Sequence, residues 1–575
     1  MKRLISLLFI SLLTSCSNFL PNSVDPDKDE VFLNKKYKSQ VNLSEFNNIG
    51  KQYYFIKVWG FLKYYGQFEN IDSDDWDNYF IEHIDKVKTF DQKGYSTFIH
   101  KTIDLFSTPE NKKTKNEEKN YPLLDNSWFN NSAYMGKEIS TRLTSIFENR
   151  KGTSGEFIEQ TRIGNIDFTN ENSYDDTDYP KKEIRLLGLA RYWNIINYFY
   201  VYKNDMSENW DTILLQSISK FINTKEVKAY HIAVQELSSK LYDCHSMVNS
   251  QILDKDIYGR YVPNFGIKLI DSTLIVRKIK IEKWNDGKIK VGDLILKIDG
   301  EDALKKYRWF NSIMKGANPL SEQRIICPYL LSSTKDKMKL IISRNSKEQE
   351  VELQLKDYYK YNEARDDLQD KLHEGMVLKK YSDDIAYINL DDIANSNFEE
   401  NFEAARNYKN LIIDIRNYLH GKTTLNLADY IMQKESLFFT SSYSDVTHPG
   451  LLRKKAGYKL GSDNDSHYKG NVYVLVNEQT QSESEFLTMA LQSSKKVKVI
   501  GSQTAGSDGN ITQFHFPGNI SAIFTGLGIF YPNLAPTQRK GVRLDIEVNQ
   551  TLKGISEGKD EILLKALEIV RKNNN

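Results

Sequence analysis

The spacing of apolar residues changes twice along the chain, and each change marks a different architecture. Between 46 and 250 it is helical: Val58, Phe61, Leu62 and Tyr65 fall at i, i+3, i+4 and i+7, one face of a helix. From about 258 the apolar runs shorten. Positions 265–269, 274–276 and 339–343 read as short strands, and 289–300 is an apolar–Gly-Asp–apolar run ending in Asp299-Gly300. From about 376, continuous apolar runs at 385–390, 411–415, 472–476 and 497–500 alternate with helical stretches near 424–433 and 484–493. Strands apolar on both faces, separated by helices, predict an α/β layered domain with crossover connections.

The helical part repeats itself. Trp59 and Trp193 lie 134 positions apart, as do Asp75-Trp76-Asp77 and Asn209-Trp210-Asp211, while Lys93-Gly94-Tyr95 matches Lys228-Ala229-Tyr230 at 135. This predicts two copies of one small helical domain, 46–115 and 179–250, joined by a polar connector (116–178) with room for a few short strands. The shared aromatics read as core. Copy two ends in Asp243-Cys244-His245-Ser246, whereas the position matching His245 in copy one is Glu110 or Asn111. A histidine needed to fold the unit belongs in both copies. Its absence from one points to function, a satisfied structural histidine being the alternative.

The chain has 575 residues, enough for several domains, and its 78 Lys+Arg against 77 Asp+Glu leave a net charge of +1. That balance offers no polyanion surface, so no nucleic-acid partner is expected. Three cysteines exclude a disulfide scaffold, and Cys244 and Cys327 are expected as buried free thiols. The nine histidines form no spaced ligand set and no phosphate-binding glycine loop occurs, so neither metal nor cofactor is expected.

Met1-Lys2-Arg3 precedes a ten-residue apolar stretch (4–13), shorter than the ~20 residues that span a bilayer but suited to a secretory signal. Leu13-Thr14-Ser15-Cys16 resembles a bacterial lipobox. The resemblance implies a signal peptide at 1–15, lipidation of Cys16, a tether over 16–45, and a protein held outside the cytoplasm in the bacterial envelope.

Catalytic groups of α/β folds collect where strands end. Strand 472–476 runs into Asn477-Glu478-Gln479-Thr480-Gln481-Ser482-Glu483-Ser484-Glu485 and then a helix. Ser482 there can be a nucleophile whose oxyanion is held by the Glu483 N–H, or the first residue of a Ser-x-x-Glu capping box.

Several of these motifs together resemble the S41 serine peptidases, the family of C-terminal processing proteases and the tricorn core. Thr480-x-Ser482-x-Ser484-Glu485 and 500–506 match its nucleophile region. Asp414-Ile415-Arg416-Asn417-Tyr418-Leu419-His420-Gly421 resembles its oxyanion element, with Gly421 or its neighbour His420 as the implied N–H donor. Gln538-Arg539-Lys540-Gly541 opens its last element, and the Gly292-Asp293 run resembles the PDZ signature of periplasmic proteases. The resemblance implies a PDZ-like domain (258–357) with Gly266 in its peptide-carboxylate loop, a plain β-hairpin being the alternative. It also implies a catalytic domain (376–570) of the ClpP/crotonase-like α/β type. The processing branch has a lysine 25 positions after its nucleophile, where this chain has Ser507. The tricorn branch takes a histidine from the end of the helical domain, where His245 stands, with a serine before it (here Cys244) and a glutamate near the late glycine (here Gln538). The expectation is a serine endopeptidase acting on extracytoplasmic proteins or peptides, with Ser482, His245 and Gln538 as catalytic residues. The rival is a catalytically weak or inactive binder of peptides or hydrophobic ligands on the same fold.

Overall fold

The computed structural model describes residues 23–32, 35–66, 72–107, 121–149, 157–364, 375–417 and 423–573. Cys16, Glu110, Asn111, His420 and Gly421 lie outside these residues.

Each copy of the repeat is a three-helix unit. The first has α1 (Asn48–Tyr65), α2 (Ser73–His83) and α3 (Gln92–Phe106). In the connector, α4 (Gly136–Glu148) accompanies two short strands, Ile158–Gln160 and Ile166–Phe168. Its buried apolar residues are only Ile139 and Leu143, too few to stand out among polar neighbours. The second copy has α5 (Lys182–Phe199), α6 (Trp210–Asn223) and α7 (Val227–Ser239). Nearly every residue of α1 and α5 is buried, because these two helices pack on each other and on the outer helices of both copies. The tryptophans that define the repeat do the same work twice: Trp59 Nε1 donates to Trp76 O at 3.2 Å, and Trp193 Nε1 to Trp210 O at 2.8 Å.

After α7 the chain makes a tight turn, with Tyr242 at φ 51°, into strand β1 (Met247–Asn249). A β-module follows, built from β2 (Phe265–Ile270), β3 (Thr273–Ile279), β4 (Leu294–Ile298), β5 (Lys337–Arg344) and β6 (Lys347–Gln354). The sheet order is β6-β5-β4-β3-β2, which leaves β2 at the edge beside helix α9 (Pro319–Leu330), while α8 (Ala303–Ile313) packs on β3 and β4. Asp299 (φ 48°) and Gly300 (φ 84°) form the left-handed pair that a two-residue hairpin turn requires.

The C-terminal region is an α/β domain. Its strands are β7 (Lys379–Ser382), β8 (Ile385–Asn389), β9 (Asn410–Asp414), β10 (Asn471–Val476) and β11 (Val497–Gly501). A hairpin of β12 (Ile511–Phe516) and β13 (Ile520–Thr525) precedes the edge strand β14 (Ile546–Glu547). The main sheet runs β7-β8-β9-β10-β11-β14, parallel except at β7/β8. The helices α10 (Thr423–Ile431), α11 (Glu483–Leu491) and α12 (Glu561–Asn573) cover it. Ile412, Leu475 and Ile500 pack on the α12 side, while Ile413, Val474 and Val499 pack on the α11 side. Burial on both faces is why these strands read as unbroken apolar runs. Cys244 and Cys327 are buried free thiols.

Candidate active site

Ser482 lies between the C-terminal end of β10 and the first turn of α11, near the middle of the sheet. Its backbone is left-handed, φ 54° and ψ −118°, and the residue is buried. The Ser482–Glu485 capping box is formed, with the serine side chain accepting from the Glu485 N–H, but an ordinary N-cap residue is extended, so capping alone does not account for the left-handed backbone. A serine on a sharp strand-to-helix turn is also the backbone geometry that a nucleophile elbow requires. Surrounding bonds hold the turn. Ser482 N donates to Ser507 O at 3.2 Å and to Glu485 Oε2 at 3.3 Å. Glu485 also accepts from Thr504 Oγ1, Gly506 N and Ser507 N at 2.5, 2.8 and 3.1 Å. The Glu483 N–H, at the positive end of the α11 dipole, has no hydrogen-bond acceptor among the described residues.

The carboxyls around this serine lean toward the neutral form. Burial pushes Glu483 up to about 7, against a 3.1 Å hydrogen bond from Thr424 Oγ1. Burial also raises Glu485, its hydrogen-bond donors opposing the shift. Asp508 is held well above the carboxylate range by burial and by the nearby charges of Glu485 and Glu483.

His245 reaches the same region from copy two. β1 pairs with β13, Met247 opposite Ile523, which sets the preceding turn against the end of that strand. His245 Nδ1 lies 2.9 Å from Thr525 Oγ1 and 3.9 Å from Asp243 Oδ1. Burial lowers the His245 pKa, Asp243 opposing and Arg324 adding to the shift.

Asp243 is fully buried. Its Oδ1 accepts from His245 N at 3.0 Å and from Ser507 Oγ at 3.1 Å, and its Oδ2 accepts from Thr525 N at 2.9 Å and Tyr200 Oη at 3.4 Å. Among the described residues, His245 is the only basic side chain within 4.0 Å of it. Ser507 Oγ also accepts the Cys244 N–H at 2.8 Å. Ser507 thus ties both turns together: its carbonyl holds Ser482, and its hydroxyl holds the Asp243-Cys244-His245 turn. Sequence reasoning missed Asp243, whose partners Ser507 and Thr525 are 264 and 282 positions away.

Gln538 is also buried near this region, between Thr537, whose hydroxyl donates to Ile529 O, and Arg539, whose N–H donates to Gly506 O. Neither atom of its side-chain amide has a partner among the described residues, and it does not hydrogen-bond His245 or Cys244. Gly266 lies in β2 at a register shift, opposite Lys278 of β3.

A strained serine at a strand–helix junction of a mostly parallel sheet, bonded through Ser507 to a buried Asp-x-His turn, makes up the candidate site. Residues 384–548 match peptidase family S41, and the C-terminal domain is an S41 peptidase domain. No curated protein matches the chain. Among solved structures, mature CPAF superimposes with TM-score 0.54 at 14% identity, over 68% of this chain and 98% of that one. Mature CPAF complexed with lactacystin gives 0.53 at 14%, over 68% and 99%. These likenesses establish the fold. The photosystem II D1 C-terminal processing protease is similar at TM-score 0.37 and 16% identity, over 66% and 98%.

Proposed function

We propose that the chain is a serine endopeptidase in which Ser482 attacks a peptide carbonyl and His245 takes the hydroxyl proton. The observation that carries this reading is the left-handed Ser482 tied through Ser507 to the Asp243–His245 turn. With Nδ1–H donating to Thr525, the His245 Nε2 lone pair is left to act as base. Asp243, not Gln538, supplies the negative charge beside the imidazolium, since an amide carries none and Gln538 does not bond to the histidine. The oxyanion is held by the Glu483 N–H and by the backbone N–H of Gly421. Below about pH 7, burial keeps Glu483 mostly protonated and removes a repulsive charge from beside that oxyanion.

The β-module is a PDZ-like domain that receives peptide tails by strand addition to β2, the tail carboxylate meeting backbone amides at the start of β2 around Gly266, which lies in the strand and not in the loop before it. Lipidation of Cys16 anchors the protein to the envelope. Recovery of normally lipidated protein from a Cys16→Ala precursor would remove that anchor from the reading.

A fluorophosphonate probe tests the chemistry, because only an activated serine reacts. Wild type should label, and Ser482→Ala should lose both labelling and peptide hydrolysis. Hydrolysis without labelling at Ser482 would overturn the assignment. The pH profile tests the rest. The rate should rise as His245 deprotonates, at a midpoint below the usual ~6.5 for histidine. It should fall again as the Glu483 carboxyl ionises at about 7. Glu483→Gln should remove the alkaline fall; a wild-type rate still level at pH 9 would exclude Glu483 from this part.

A further inference from the structure

The groove between β2 and α9 has a charge composition that peptide capture alone does not require. It encloses about 170 Å³, and its lining includes Lys268, Arg277, Lys278, Lys280 and Arg324 against one acid, Glu478. At ~30 Å³ per water that is space for about five or six waters, room for a terminal residue, while Cys327 of α9 closes the β2 edge at Leu269.

Three of the cations are engaged by the chain leading to the nucleophile. Lys268 Nζ lies 3.1 Å and Arg277 3.5 Å from Glu478, and Arg324 donates to Gln481 Oε1. Lys278 is different. Its side chain keeps solvent-accessible surface and makes no hydrogen bond or ion pair with a described residue; the protein packed around it desolvates the ammonium and lowers its pKa, Arg277 adding to the shift and Asp391 opposing it, so an added anion would relieve it. It stands opposite Gly266 across the β2/β3 pair, and the place of a Cβ at 266 would be in van der Waals contact with Lys278 Cγ (3.6 Å) and Arg277 Nε (3.8 Å), so both cations flank the start of β2.

We propose that this groove selects extended peptide tails that end in a free carboxylate preceded by aspartate or glutamate. Backbone amides at the start of β2 hold the terminal carboxylate, and Lys278, with Arg277 and Lys280 beside it, pairs the acidic side chains. This rests on the reading of the β-module as a tail-binding domain and adds the chemistry of the tail.

The test uses the full chain carrying Ser482→Ala, to prevent turnover, and fluorescence anisotropy of labelled decapeptides. One peptide ends in three acidic residues with a free carboxylate; the others end in three alanines, in three lysines, or in the acidic sequence amidated. The acidic free tail should bind roughly five- to tenfold tighter than the alanine tail. That advantage should shrink with added salt. Lys278→Glu should cancel the preference while the alanine tail still binds. Equal binding of acidic and alanine tails, both weakened by amidation, would keep the tail-binding reading and overturn the acidic preference. Failure of every peptide to bind would overturn the tail-binding reading, and this inference with it.

Discussion

The two helical units share a plan and differ at their centre and at one end. Their buried charges are exchanged. Lys57 of the first copy pairs with Asp211 of the second, and Arg191 of the second pairs with Asp77 of the first. Lys57 and Arg191 occupy matching positions of the repeat, as do Asp77 and Asp211. Each copy therefore supplies one cation and one anion to its twin, the reciprocity of a two-fold interface between identical subunits, here within one chain. Asp211 also accepts from Tyr53 at 2.6 Å and Tyr37 at 2.9 Å, and Asp77 from Tyr174 at 2.8 Å. Although burial opposes ionisation, Lys57 and Lys203 hold Asp211 at about 2. What copy two adds is the Asp243–His245 turn. The scaffold was duplicated, and the proposed chemistry stands at one exit from it.

That difference gives the largest expected effect. His245→Ala should lower hydrolysis by about 10²–10⁴-fold, typical of a lost general base, with little change in melting temperature. Asp243→Asn should lower the rate as well, and should move the acid limb of the pH profile to lower pH, because the carboxylate favours the protonated imidazole. A merely structural Asp243 would lower the folded fraction and leave that midpoint where it was. Full activity in His245→Ala would make the end of copy two as inert as the end of copy one.

The exchanged charges give the next effect, on stability. Lys57→Met leaves Asp211 without its nearest cation, and Arg191→Met does the same to Asp77. Removing one partner of a buried pair costs about 3–5 kcal/mol. If the two-fold relation governs energy as well as geometry, the two losses measured by denaturant unfolding should be similar. A cost in one copy and none in the other would confine the symmetry to the geometry.

Much of this architecture was legible before the fold was known. The apolar runs fall on the observed strands because each faces helices on one or both sides, and the aromatic repeat is visible because paired tryptophans leave a fixed offset. Ser482 was legible as the residue between a strand and a helix; its left-handed backbone was not, since the bonds imposing it come from Ser507 and Glu485 in the folded loop. The exchange of Lys57 and Arg191 between copies was hidden for a related reason. Each repeat read alone contains a cation and an acid that look able to pair locally. Only the crossing of α1 and α5 decides that they do not.

The smallest effect concerns that crossing. Gly60 and Asn194 are matching positions on α1 and α5. A Cβ at 60 would lie 2.0 Å from Asn194 Cγ. Asn194 cannot easily retreat, because its Nδ2 donates to Ala190 O at 2.8 Å and to Ile56 O at 3.3 Å, carbonyls that are themselves matching positions of the repeat. Side chains of equal size cannot both occupy this point, so the copies had to diverge here, one toward no side chain and one toward an amide that bonds both helices. Gly60→Ala should cost about 1–3 kcal/mol through overpacking, partly offset by the ~1 kcal/mol helix preference of alanine over glycine. The exchange Gly60→Asn with Asn194→Gly gives the sharper comparison. Gly60→Asn alone should be strongly destabilising, and adding Asn194→Gly should recover most of the loss, since the amide can then reach the same two carbonyls from the opposite helix. An exchange variant no more stable than Gly60→Asn alone would mean that the surroundings of the axis, and not the axis itself, fix which copy carries the side chain.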